Sequence, residues 1–135
     1  MIRILISLLV FFASTALAEI KISDEFVRIG YKEDYPTTIY LKLHNIGNQL
    51  DYLLGAQVIN NQNANVTINK TVIEKGVVRI IRINQLTLPA NSIVELAPQG
   101  IYLVVRNINK FKLSAIRLYF KYAGAITYII NKNEK

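Results

Sequence analysis

Apolar and polar residues alternate along most of this chain. Ile39, Leu41 and Leu43 fall on one side of a run whose other side holds Tyr40, Lys42 and His44. A period of two is the signature of a strand with one buried face, so Tyr40, Lys42 and His44 are expected on the solvent side. The same short-range pattern recurs at Ile20/Ile22, Phe26–Ile29, Leu53–Val58 and Val66–Val72, then at Val77–Ile83, Leu86–Leu88 and Ile93–Leu96. Ile101–Val105 is almost wholly apolar and is expected to be a central strand; Ile116–Tyr122 and Ile126–Ile130 close the series. Turn chemistry separates the runs: Asn45-Ile46-Gly47-Asn48, Lys75-Gly76, Pro89-Ala90-Asn91, Ala97-Pro98-Gln99-Gly100 and Ala123-Gly124-Ala125. β-Branched and aromatic residues fill the strands, as strand propensity favours. No window keeps a helical period. About nine short strands at this turn spacing predict one all-β sandwich or barrel.

The pattern differs before Glu19. Arg3 supplies a positive start, Ile4–Phe12 is an apolar run broken only by Ser7, and Ala16-Leu17-Ala18 is a small-x-small cleavage signature. This predicts a signal peptide over residues 1–18, a single domain over 19–135, and a periplasmic, exported product. The apolar run is short for a bilayer span, and no later segment is long and apolar enough to be a transmembrane helix.

Composition narrows the function. There is no cysteine, so no disulfide can staple the fold. A domain of this length buries roughly two-thirds of its unfolded surface, so packing alone can hold it. The formal charge is +7; loss of Arg3 with the leader would leave +6. The cations are scattered, with clusters only at Lys110/Lys112 and Lys132–Lys135, which reads as a solubilising surface. Attraction to anionic membranes or acidic partners is the alternative. The eight tyrosines could stack single-stranded bases, but export argues against a nucleic-acid partner. His44 is the only histidine and has no serine–aspartate context for a triad. It reads as a surface residue. Asp24/Glu25 and Glu33/Asp34 are adjacent acidic pairs that read as loop surface rather than acid and base. No enzyme is expected.

Several segments together resemble the periplasmic copper chaperones of the PCu(A)C type. Ile39-Tyr40-Leu41-Lys42-Leu43-His44-Asn45-Ile46-Gly47 is similar to that family's A-Y-L-x-L-x-N-x-G, and Asp51–Ala56 to its D-x-L-L-G-A. Gly76–Ile80 stands where members carry G-V-M-R-M. Leu88–Ser92 and Leu96–Gly100 resemble L-P-A-G-x and L-x-P-G-G, and Phe120–Gly124 resembles the closing F-x-x-A-G. The resemblance implies a cupredoxin-like, immunoglobulin-like β-sandwich. It also implies a copper site of His, Met and a closing His-x-Met, which here fall on Asn69, Ile80, Tyr102 and Val104. Cu(I) is soft and selects thioether and imidazole. An amide, two hydrocarbons and a phenol offer neither, and the only methionine is Met1. The expectation is therefore a non-enzymatic binding or interaction module without an intact metal site and without a cofactor. Its partner would be a periplasmic or membrane-anchored protein. The alternative is a copper chaperone of cytochrome c oxidase assembly that uses unconventional or partner-supplied ligands.

Overall fold

A computed structural model describes residues 18–28, 36–61, 63–108 and 113–130. Residues 1–17 of the expected leader, Glu33/Asp34, Lys110/Lys112 and the tail cluster Lys132–Lys135 lie outside the described residues. Ten strands are present among the described residues rather than about nine: β1 (Ile20–Arg28), β2 (Thr37–Asn45), β3 (Asp51–Val58), β4 (Asn65–Glu74), β5 (Val77–Ile83), β6 (Leu86–Leu88), β7 (Ser92–Glu95), β8 (Ile101–Arg106), β9 (Ala115–Phe120) and β10 (Gly124–Ile129). Ile20/Ile22 and the run from Phe26 merge into β1, whose register shifts between Ser23 and Phe26. Asp24 and Glu25 therefore belong to a strand at its irregularity, not to a loop.

The strands form two sheets, and every pairing is antiparallel. One sheet runs β1-β2-β8-β4-β5; the other runs β10-β9-β3-β6. Strand β2 shares one edge between two partners. Thr37–Ile39 pair with β8, and Lys42–Asn45 pair with β7. As expected, β8 lies inside its sheet, between β2 and β4.

The core lies between the sheets. Ile39, Leu41, Leu43, Ile68, Leu103 and Val105 from the first sheet meet Leu53, Leu88, Ile116, Leu118 and Phe120 from the second. These are the apolar positions of the period-two pattern, and side chains at every second residue reach one face. Removing that apolar area from water is the main favourable term in folding.

Two buried polar side chains fasten the connections. Asn45 Nδ2 donates to the carbonyls of Gln49 (2.8 Å) and Leu88 (3.0 Å), while its Oδ1 accepts from Gly47 N (3.1 Å). Asp51 accepts from the backbone N–H groups of Tyr52, Tyr122 and Ala123 at 2.7, 2.9 and 3.0 Å. That ties the β9–β10 turn to the start of β3. The predicted Lys75-Gly76 turn closes the β4–β5 hairpin with φ of 49° and 76°, the two positive values of a type I′ turn.

Candidate functional site

Asn69, Ile80, Tyr102 and Val104 come together on the outer face of the first sheet. Asn69 on β4 stands directly opposite Tyr102 on β8. Val104 is the next residue on that face of β8, opposite Thr67 on β4 and Thr38 on β2. On the other flank of β4, Arg82 pairs with Asn69 and Ile80 pairs with Thr71. Directly opposed residues of antiparallel strands have Cβ atoms about 5 Å apart, and diagonal neighbours lie about 7–8 Å apart. Asn69 therefore stands beside Tyr102 and diagonal to both Val104 and Ile80, which lie on opposite flanks of β4, so the four share one patch of the face.

That spot is concave. An open groove of about 570 Å³ is lined by all four residues together with Pro36, Thr38, Asn65, Thr67, Arg82 and Arg106. The lining contains amides, hydroxyls, hydrocarbon and two guanidinium groups. No thioether, thiol or imidazole faces it, so the donor set does not fit Cu(I). Among the described residues, no group of three or more His, Cys, Asp or Glu is placed to hold a metal ion. The arrangement suits hydrogen bonding to an anionic or carbonyl-bearing group instead, because guanidinium forms strong charge-assisted bonds to oxyanions.

The two hydrocarbon positions have different environments. Val104 is 2% exposed and belongs to the floor of the groove, whereas Ile80 is 62% exposed at its rim. Val104 is packed, and Ile80 presents apolar surface to solvent.

The expected solvent side of β2 needs a correction. Tyr40 is buried, not exposed. Phe26 stacks on its ring at 6.0 Å, and Tyr102 meets it edge-on at 6.1 Å. Thr38 Oγ1 donates to the Tyr40 hydroxyl at 3.2 Å. An aromatic row thus crosses β1, β2 and β8 and ends at Tyr102, which lines the groove. His44 is half-buried on the same face, opposite Lys21 and Ile93 and away from the groove.

Arg82 and Arg106 escaped the sequence reading. The available signal was spacing: each stands two residues beyond a marked position, Ile80 or Val104, on the same strand and so on the same face. Neither forms a salt bridge with another described residue, whereas Arg79 on the same strand as Arg82 pairs with Glu74 at 3.0 Å.

The LpqE-like family, whose description is "Putative lipoprotein LpqE-like", matches residues 20–128. The chain belongs to the LpqE-like family. Among solved structures, this LpqE-like chain is similar to the copper-bound PCuAC domain from PmoF2. The two are 22% identical, the match covers 85% of this chain and 92% of that one, and the TM-score is 0.65. It is also similar to the apo PCuAC domain from PmoF1, at 19% identity, with 86% and 94% covered and a TM-score of 0.65. No curated protein sequence gives a match. At these identities the structures establish a shared PCuAC-type, cupredoxin-like sandwich, the fold that the resemblance implied.

Proposed function

We propose that this protein is a non-enzymatic binding module on the copper-chaperone scaffold whose Cu(I) site has been lost. One observation carries the reading. The four positions that would hold copper are brought together in a single groove by the sheet register, yet none offers a soft donor. The scaffold is kept and the ligands are replaced. The groove also lacks a nucleophile paired with a base, which weighs against hydrolytic chemistry.

The domain division, residues 1–18 as a cleaved leader and 19–135 as the working domain, is part of this proposal, as is a periplasmic location. It is supported by the leader pattern and by a family match that begins at residue 20. No helix among the described residues is long and apolar enough to cross a membrane. The family description names a lipoprotein, but this chain has no cysteine, so it offers no thiol for a thioester- or thioether-linked lipid.

A Cu(I) competition titration of Glu19–Lys135 against a chromophoric chelator tests the loss. No one-to-one complex at sub-micromolar affinity is expected. Such a complex would instead support a working copper carrier with unconventional ligands.

A further inference from the structure

The β4–β5 hairpin exposes more hydrocarbon than its packing requires. Ile73 and Val78 form a directly opposed pair near its tip. They are 73% and 64% exposed and lie on the same face as Ile80. The second sheet does not cover this part of the hairpin, and β5 is exposed from Val77 to Arg82. Clustered exposed aliphatics mark an interaction surface, whereas single ones need no explanation.

Charge selects the partner. Lys75 sits in the turn, Arg82 stands where the aliphatic cluster meets the groove, and Arg106 lines the groove's wall. The hairpin's one carboxylate, Glu74, is paired with Arg79 on the opposite face. On the outer face of the sheet, Glu95 lies on β7 opposite Lys42, on the far side of β2. Aliphatic side chains flanked by long cations match an interface whose outer layer is anionic and whose inner layer is hydrocarbon. The cations can keep their heads at the phosphate level while their stems cover apolar surface.

We infer that the outer face of the β4–β5 hairpin docks this protein on an anionic lipid bilayer. Ile73, Val78 and Ile80 enter the headgroup–acyl boundary, and Lys75, Arg82 and Arg106 face lipid phosphates. The inference rests on the proposal that the groove face is a binding surface, but it does not depend on whether that face holds copper.

The test is vesicle co-sedimentation of Glu19–Lys135. Every buried core side chain among the described residues lies between Ile20 and Ile130, so that chain carries the whole described core. The vesicles are phosphatidylcholine alone or mixed with phosphatidylglycerol. Each cation at an anionic surface strengthens binding about fivefold. Binding to the mixed vesicles should therefore exceed binding to the neutral ones by at least tenfold, and salt should weaken it. Ile73→Asp with Val78→Asp should lower partitioning at least tenfold and leave the thermal midpoint nearly unchanged, since both sites are exposed. In a chain without tryptophan, Val78→Trp supplies a single reporter. Its emission should shift to the blue on mixed vesicles and be quenched by brominated acyl chains. Equal binding to both vesicle types would overturn the inference, as would unaltered binding by the aspartate variant. So would a native dimer that the aspartate variant abolishes in the absence of vesicle binding, which would assign the face to a second copy. The copper titration is run without lipid and the vesicle assay without copper, so either result can fail alone.

Discussion

Asp51 is fully buried, and its carboxylate is held by three backbone N–H donors. An asparagine there keeps Oδ1 for the N–H groups of Tyr52 and Tyr122 but turns its amide NH2 toward the N–H of Ala123, leaving that donor without a partner. The loss is about 2–3 kcal/mol, which for a domain of this size lowers the thermal midpoint by roughly 10 °C. Calorimetry of Asp51→Asn checks this. Glu74→Gln is the contrast: it breaks an exposed ion pair and should shift the midpoint by no more than about 3 °C. Backbone strain makes a second residue-level prediction. Asn91 and Gln99 have φ of 52° and 64°, and they occupy the positions of glycines in the L-P-A-G-x and P-G-G segments they resemble. A left-handed backbone costs a non-glycine residue about 1–2 kcal/mol, while glycine adds less than that in unfolded-state entropy. Gln99→Gly should therefore raise the urea midpoint, by roughly 0.5 kcal/mol in stability. Asn45 and Asp51 were visible in the sequence only as motif letters. Their burial and partners depend on chain segments far apart in sequence, Asn45 reaching Leu88 and Asp51 reaching Tyr122.

Strands were legible wherever one face is buried and the other is not. In β2 the apolar alternates Ile39, Leu41 and Leu43 are all core residues, as the pattern required. Tyr40 broke the rule because the outer face of that sheet is partly covered by its own aromatics, a tertiary effect that period two cannot register. Strand β5 broke it in the other direction. Its sequence is rich in isoleucine and valine, yet the second sheet does not reach it, so residues that would suit a core are exposed. The two kinds of apolar strand position should respond oppositely to truncation. Leu103→Ala on β8 removes a fully buried side chain and should cost about 2–5 kcal/mol. Val78→Ala on β5 should fall within about 0.5 kcal/mol of the native protein. Denaturant unfolding of the two variants measures the difference.

At the scale of the whole molecule, the four marked positions are spread over 36 residues of sequence from Asn69 to Val104, and pairing of β5, β4 and β8 brings them to one groove. The sequence could place them only through resemblance, because register between β4 and β8 is a long-range property. It could not show that Arg82 and Arg106 share the groove, or that Val104 would become floor while Ile80 became rim. The proposed loss of the Cu(I) site requires that the scaffold keep a geometry able to hold the metal and lack only its donors. The most direct measurement is a Cu(I) competition titration of the combined Asn69→His, Ile80→Met, Tyr102→His and Val104→Met variant beside the native chain. One-to-one Cu(I) binding at sub-micromolar affinity is expected in the variant and none in the native protein. A variant that folds, as judged by its circular dichroism and cooperative melt, yet binds no copper would contradict the proposal.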